Sequence, residues 1–262
     1  MDALRQVDGW PCRGAAVAVV YPDGRRITHG NAEHPFDWAS VTKLATAVTA
    51  LVAVEEGSVG LDDPAGPPGA TVRHLLAHAS GLAFDGHSPI GRPGAQRIYS
   101  NTGFEVLAAH VEERTGMPFA AYFEAVWGFA LEGSPARGVT APLTSLVELA
   151  VELQSPTRIS RETLELARTV QFPGLDGVLP GFGRQKPNDW GLGLELRDAK
   201  RPHWTGAHCS PATFGHFGRA GTFLWIDPSA GIALGCLTDL EFGDWAKDAW
   251  PRLSDAVLAE LH

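Results

Sequence analysis

The two ends of the chain show the short apolar runs of β-strands, whereas the middle shows the spacing of amphipathic helices. The run 15–21 is apolar and leads into a Pro-Asp-Gly turn, and 26–29 follows, which predicts a β-hairpin. Near the other end, the turn 227–231 separates two further strand-like runs and predicts a second hairpin. The strands predicted in this late region are 191–196, 214–217, 222–226 and 232–237.

Helical periodicity begins at 40–56, where apolar residues recur every three or four positions until Gly57 closes the segment. The tail 245–261 predicts one or two helices, with Pro251 acceptable at a helix start. Similar apolar faces predict five more helices in the middle, at 71–78, 102–115, 119–127, 145–153 and 161–170. A loop is predicted at 173–187, where Gly and Pro interrupt the pattern.

Strands at both ends around a helical middle predict an α+β fold with an antiparallel sheet flanked by helices. Residues 1–56 and 188–262 should form one discontinuous sheet domain, and 57–187 a helical insertion. We expect a single structural unit with the active site between these two parts.

Composition narrows the class of protein. The 262 residues are 44% hydrophobic and 19% charged, which is typical of a globular chain. A net charge of −9, with no basic run longer than Arg25-Arg26, argues against a nucleic-acid partner.

The cysteines Cys12, Cys209 and Cys236 are odd in number and widely spaced, which favours free thiols over disulfides, with a Cys nucleophile as the minor alternative. No signal-like or membrane-length segment is present, so we expect a cytoplasmic protein without a membrane partner.

Ser40-Val-Thr-Lys43 is an S-x-x-K motif at a helix start, and it carries the first candidate chemistry. A spacing of three places both side chains on one helix face, and the helix N-terminus favours negative charge on the Ser oxygen. A Lys whose pKa is lowered by burial can take the hydroxyl proton. Alone the motif is weak, since Ser is also a common helix cap.

Tyr99-Ser100-Asn101 precedes a predicted helix and offers a phenol and an amide. The phenol of Tyr99 can relay protons, and the Asn101 amide can donate to a substrate carbonyl and accept from Lys43. The alternative is a simple capping turn.

His216-Phe217-Gly218 lies on a predicted strand. Gly218 permits close approach by a ligand backbone, and His216 can donate toward Tyr99 or a substrate carboxylate. If His216 acts as a charged donor, activity should change between about pH 5.5 and 7.5. The alternative is an ordinary satisfied histidine.

The order S-x-x-K, Y-x-N, H-x-G resembles the three active-site elements of class C β-lactamases, serine D,D-peptidases and related esterases. Two further stretches are similar to that family, the Leu-Leu-Ala-His-Ala-Ser-Gly-Leu segment at 75–82 and Gly-His-Phe-Gly-Arg-Ala-Gly-Thr at 215–222. The resemblance spans roughly 15–237.

The resemblance implies an acyl-enzyme on Ser40, with Lys43 and Tyr99 sharing general base and acid duties and Asn101 orienting the Lys. It implies an oxyanion hole from the backbone N–H groups of Ser40 and Arg219, and no cofactor.

The chain departs from the lactamase pattern at the third element, where His216 stands in place of the usual Lys and Phe217 in place of a small hydroxyl residue. Arg219 could replace the missing anion receptor or point to solvent, and Trp38 could line the cleft. These departures favour an esterase or D-amino-acid peptidase acting on a small ester, amide or peptide. The alternatives are a true β-lactamase and a non-catalytic ligand sensor.

No metal site is expected. His74 and His78 have i, i+4 spacing but lack the Glu of an H-E-x-x-H motif. His203, His208 and Cys209 lack a fourth ligand.

Overall fold

The two ends of the chain meet in one six-stranded antiparallel sheet in the computed structural model, which describes residues 1–261. In chain order the strands are β1 (Ala15–Val20), β2 (Arg26–Gly30), β3 (Phe36–Asp37), β4 (Thr140–Ala141), β5 (Gly177–Leu179), β6 (Gly183–Gln185), β7 (Glu195–Leu196), β8 (Phe214–Gly218), β9 (Thr222–Asp227) and β10 (Ile232–Thr238). The large sheet has the order β2-β1-β10-β9-β8-β7, while β3–β4 and β5–β6 form two small ribbons. Both predicted hairpins are present.

Seven α-helices surround this sheet: α1 (Thr42–Glu55), α2 (Val72–Leu76), α3 (Asn101–Thr115), α4 (Phe119–Trp127), α5 (Leu143–Glu152), α6 (Arg161–Ala167) and α7 (Asp244–Ala259). Two 3₁₀ helices, Asp2–Gly9 and Ala39–Val41, complete the set. The predicted α+β class, with helices flanking an antiparallel sheet, is confirmed. The division into 1–56 with 188–262 and an inserted 57–187 stays a prediction.

The central strands are buried on both faces because helices cover the sheet from each side. Successive side chains of a strand point to opposite faces. In β1, Ala16 and Ala18 join the core shared with α1 and α5, whereas Val17 and Val19 join the core shared with α7 and the first 3₁₀ helix. This double burial explains why the strands are nearly continuous apolar runs rather than alternating ones.

Two local predictions were wrong. The strand at 191–196 is reduced to β7, because Leu192 and Gly193 donate to the carbonyls of Ala167 and Leu76 rather than to a neighbouring strand. The loop predicted at 173–187 contains the β5–β6 ribbon.

The tail forms a single helix, α7, which was one of the two predicted alternatives, and Pro251 lies inside it rather than at a helix start. Proline removes one backbone donor from a helix. The buried Trp250 and Leu253 on either side pack into one cluster and hold both halves of α7 in line.

None of the helices within residues 1–261 is both long enough and apolar enough to cross a bilayer.

Candidate active site

Ser40 lies in a tight turn immediately before α1. Its neighbour Ala39 has φ = 43°, a left-handed conformation that is strained for a residue with a Cβ. The Asp37 carboxylate accepts the Ala39 N–H at 2.6 Å and fixes this turn. Such strain persists only where the surroundings impose it. The turn thereby leaves the partly exposed Ser40 hydroxyl beside the first turn of α1.

Lys43 is completely buried, one turn after Ser40. Its Nζ lies 2.7 Å from Asn101 Oδ1, 2.9 Å from the Ala136 carbonyl oxygen and 3.3 Å from Ser40 Oγ. Burial, and then the charge of Arg137, hold the pKa of Lys43 well below its usual range. A neutral amine has two N–H donors and one lone pair, and two of its three neighbours can only accept. When the amine is neutral and its two hydrogens are donated to these acceptors, the lone pair faces the Ser40 hydroxyl, which is the arrangement that a general base requires.

Asn101 begins α3, whose first turn is capped by the Ser100 hydroxyl accepting from Gly103 N–H at 2.9 Å. The Asn101 amide nitrogen donates to Asp85 Oδ1 at 3.1 Å, so its oxygen is directed at Lys43. Asp85 was not predicted from the sequence. Its carboxylate sets the orientation of the amide and also acts against the lowering of the Lys43 pKa.

Tyr99 and His216 face each other, with 3.3 Å between the phenol oxygen and Nε2. The other ring nitrogen, Nδ1, lies 2.7 Å from the Phe217 carbonyl oxygen, which can only accept, so Nδ1 carries the hydrogen. Burial first, and then the nearby Lys43, lower the pKa of His216 to about 3. Nε2 of the neutral ring is then an acceptor for the Tyr99 O–H. Burial also raises the pKa of Tyr99, an effect that the nearby Ser40 hydroxyl partly offsets, and this favours the protonated phenol.

The expectation that a charged His216 controls activity between about pH 5.5 and 7.5 is therefore corrected, since the ring is neutral in that range. In His216→Gln, the acid limb of kcat/KM should keep its position. Lys43 must be neutral to act, so activity is lost as pH falls through its lowered pKa in both proteins. Stopped-flow pH profiles of both proteins test this. A limb that moves by a full unit or more in the variant would show that His216 titrates.

A second layer of aromatic residues holds Tyr99. The His78 ring lies 4.5 Å from Tyr99, and its Nδ1 accepts the Ser100 N–H at 3.1 Å. Trp190 meets the His78 ring edge-on at 4.6 Å and lies 5.5 Å from the His216 ring. These contacts fix the phenol between two neutral histidines.

The structure places two of the predicted binding residues, Trp38 and Gly218, differently from the expectation. Trp38 does not line the cleft; it is fully buried, and its indole donates to the Ala141 carbonyl at 3.1 Å. Arg219, for which anion binding and solvent exposure were both expected alternatives, is largely exposed and pairs with Glu241 at 3.3 Å, and it also lines the cavities beside Ser40.

Gly218 permits close approach of the chain itself rather than of a ligand. A Cβ at Gly218 would lie 2.5 Å from the Trp38 carbonyl oxygen and 2.5 Å from Thr222 Oγ1. Thr222 Oγ1 in turn donates to the Trp38 carbonyl at 2.9 Å. The third motif thus joins β8 and β9 to the strained turn that carries Ser40. Phe217, by contrast, lines a cavity beside Ser40.

A buried charged cluster lies next to this site and was not predicted. The Glu195 carboxylate contacts Lys200 Nζ, and it accepts from the Trp204 indole at 2.8 Å and pairs with His203 Nε2 at 3.0 Å. Burial alone would raise the pKa of Glu195, but Lys200 and His203 outweigh it and lower the pKa to about 2. The sequence signal was faint, because the charges are scattered over 195–204.

His203 thus pairs with Glu195 rather than with His208 or Cys209, and His74 stacks on Phe172 at 4.2 Å rather than joining His78. Among residues 1–261, no three His, Cys, Asp or Glu side chains are grouped to hold a metal ion.

Two cavities meet at Ser40. The outer cleft, about 610 Å³, is lined by both acidic and basic side chains, among them Asp85, Arg137 and Glu241. The inner pocket, about 210 Å³, reaches past Tyr99 and His216. Ser40 lines both, so a substrate attacked there can place one part in each.

This chain is similar to known proteins in both fold and sequence. The β-lactamase family model matches residues 7–131, which include Ser40, Lys43, Tyr99 and Asn101. Penicillin-binding protein 4* of Bacillus subtilis is 30% identical over a match that covers 34% of this chain and 27% of that protein. The D-alanyl-D-alanine-carboxypeptidase/endopeptidase AmpH of Escherichia coli is 28% identical, with 33% and 32% covered. The chain thus spans less than a third of the length of these curated relatives.

Solved structures match over the whole chain. A mutant of simvastatin synthase from Aspergillus terreus has a TM-score of 0.79 at 19% identity, covering 99% of this chain and 93% of that one, and shows the fold alone. A β-lactamase from Mycobacterium bovis is 52% identical, with a TM-score of 0.97 and 99% of each chain covered. Identity at this level over both full lengths settles the family, and the chain belongs to the β-lactamase family of serine hydrolases.

Proposed function

We propose that this enzyme hydrolyses carboxylic esters through an acyl-enzyme on Ser40. The observation that carries the proposal is the environment of Lys43. Its amine is buried beside two obligate acceptors and lies 3.3 Å from Ser40 Oγ, so the lone pair of the neutral form would face the hydroxyl. A hydroxyl beside a neutral amine at a helix start is an activated nucleophile.

The proposed reaction has two halves. In the first, Ser40 Oγ attacks the ester carbonyl while its proton passes to Lys43 Nζ. The carbon–oxygen bond to the alcohol then breaks, and Tyr99 gives its proton to the departing alkoxide. Tyr99 recovers a proton from protonated Lys43, which returns the amine to neutral. In the second half, water repeats these steps in place of Ser40 and releases the carboxylic acid.

Backbone and side-chain donors would support this chemistry. We assign the oxyanion hole to the backbone N–H groups of Ser40 and Arg219, because β8 and the Ser40 turn pack directly together. Asn101 orients Lys43. His216 accepts a hydrogen bond from Tyr99, which holds the phenol in position until Tyr99 donates its proton to the leaving alkoxide.

β-Lactam hydrolysis is the second candidate, favoured by the name of the Mycobacterium bovis relative. A β-lactam brings a carboxylate, which the family ordinarily meets with a cation. Here His216 is neutral and Arg219, although it lines the cavities beside Ser40, is paired with Glu241, so the third motif offers no unpaired cation. Peptides ending in D-alanine are a further possibility supported by AmpH.

A fluorophosphonate probe should label the enzyme at Ser40, and peptide mass spectrometry should locate the adduct there. Ser40→Ala should lose the label completely, whereas Ser210→Ala, which changes a serine paired with Asp227, should keep it. Hydrolysis rates for p-nitrophenyl esters, a chromogenic cephalosporin and D-alanyl peptides rank the candidates. An enzyme that is not labelled and hydrolyses none of these substrates would contradict the proposal. Ligand binding that survives in Ser40→Ala would then favour a non-catalytic ligand sensor.

A further inference from the structure

The inner pocket is enclosed mainly by apolar side chains. Ser40, Tyr99 and His216 are among the residues that line it. Its walls are formed by Phe84, Leu179, Pro180, Trp190, Phe217 and Phe242. A charged group placed between such walls would lose its hydration without gaining a partner. The transfer of an apolar chain from water into the pocket, by contrast, lowers the free energy.

The polar groups at the pocket are also unsuited to an anion. Nε2 of His216 accepts a hydrogen bond from Tyr99 and has no proton to give. Arg219 also lines the pocket, but its side chain is 82% exposed and pairs with Glu241, which lines the outer cleft. Glu195 lines the pocket as well, and its carboxylate contacts Lys200 and His203. A carboxylate on the substrate would therefore meet an acceptor and a second carboxylate, while the Arg219 cation is already paired and mostly in solvent.

The size of the pocket limits the group it can hold. About 210 Å³ corresponds to roughly seven groups the size of a water molecule, at about 30 Å³ each. The outer cleft is larger and carries the charged side chains, so it suits the polar leaving group.

We propose that the inner pocket is the acyl-binding site and that the substrate is an ester of a neutral, apolar carboxylic acid with a chain of up to about seven carbons. This inference rests on acyl transfer at Ser40 and adds the class of acyl group that reaches it. The polar alcohol portion occupies the outer cleft.

The test is a matched series of p-nitrophenyl esters, in which only the acyl group changes. We expect kcat/KM to rise from acetate to hexanoate by about tenfold or more, since each buried methylene favours binding, and to fall again by dodecanoate. The mono-p-nitrophenyl ester of adipic acid has the six-carbon chain of hexanoate but ends in a carboxylate. It should react at least about a hundredfold more slowly.

Two outcomes would overturn the inference while leaving the acyl-enzyme intact. They are equal rates across all chain lengths, and an adipate ester that reacts as fast as hexanoate. If no ester reacts and the fluorophosphonate probe does not label Ser40, the proposed function fails and this inference falls with it.

A pair of variants on β5 locates the acyl chain. Leu179 lines the pocket, whereas its neighbour Val178 points the other way and is 58% exposed. Leu179→Phe should move the preferred acyl chain about two carbons shorter, because the added ring occupies pocket volume. Val178→Phe should keep the wild-type preference.

Phe84 provides a check that does not disturb the core, because it is 51% exposed at the mouth of the pocket. Phe84→Ala should lower the ratio of hexanoate to acetate turnover several-fold by removing one wall. An unchanged ratio in this variant, together with unchanged preference in a folded Leu179→Phe, would place the acyl chain elsewhere.

Discussion

Lys43→Met is expected to slow acylation of Ser40 by about a thousandfold or more, the range typical of a lost general base that also activates a nucleophile. Methionine keeps most of the volume of the side chain but has no lone pair of comparable basicity. Lys43→Arg should fail equally, because a guanidinium stays protonated in proteins and cannot accept the Ser40 proton. The rate of fluorophosphonate labelling measures this step directly.

The loss must be separated from a loss of structure. Lys43→Met leaves the Asn101 and Ala136 oxygens unpaired, which costs about 1–3 kcal/mol for each buried acceptor. Thermal unfolding identifies the temperature at which both proteins are folded, and labelling is compared there. Lys247→Met, on the exposed face of α7, is the matched control and should label at the wild-type rate. If Lys43→Arg acylates normally, Lys43 acts as a cation and the proposed mechanism is wrong.

Lys200→Met is expected to lower the free energy of unfolding by about 3–5 kcal/mol, the usual loss when one partner of a buried ion pair is removed. Lys200 contacts Glu195, and both side chains are almost completely buried. In Lys200→Met, the Glu195 carboxylate keeps its contacts with the His203 and Trp204 side chains. It has lost the lysine ammonium group that neutralised its charge. Urea unfolding at pH 7 measures the change.

The pH dependence of this loss has a definite sign. Glu195 titrates near 2 in the folded protein, below its ordinary value of 4.5, so the stability it contributes is present above about pH 4.5 and disappears as pH falls toward 2. The difference between wild type and Lys200→Met should therefore shrink between pH 5 and pH 3. Glu195→Gln combined with Lys200→Met should be more stable than Lys200→Met alone. A double variant that is less stable would show that the pair is not the source of the loss.

The parts of the site that the sequence predicted are those held by local spacing. Ser40 and Lys43 are one helical turn apart, and Tyr99 and Asn101 flank the cap of α3. Short-range geometry of this kind follows from backbone periodicity alone. The order of the motifs then led to the family.

The missed parts depend on contacts between distant segments. The Ala136 carbonyl reaches Lys43 from a loop 93 positions away, and nothing in its sequence distinguishes it from other carbonyls. Asp85 sits in a polar loop where an acidic residue is ordinary. The burial of Trp38 was decided by the packing of β8 and β9 against the Ser40 turn, which no local pattern encodes.

The elements of the fold likewise divide into those that local sequence pattern predicted and those that distant contacts decided. Helix periodicity located α1, α3 and α4 within a few residues, because each has a continuous apolar face. The segment 191–196 had a strand-like composition, yet the carbonyls of Ala167 and Leu76 took the hydrogen bonds of its glycine-rich part. Tertiary partners override local preference where a segment is short.

The pairing of β1 with β10 has a consequence for biosynthesis. During translation, the first strand leaves the ribosome long before the strand that must lie beside it, and the hydroxyl-bearing turn precedes the imidazole-bearing strand by most of the chain. Sheets that pair such distant segments form slowly. The entropy lost in closing the long loop precedes the strand contacts that stabilise the fold. If Ser40 is acylated as proposed, we therefore expect the nascent polypeptide to lack a complete site until β8 has been made, and catalytic competence to arrive late in folding.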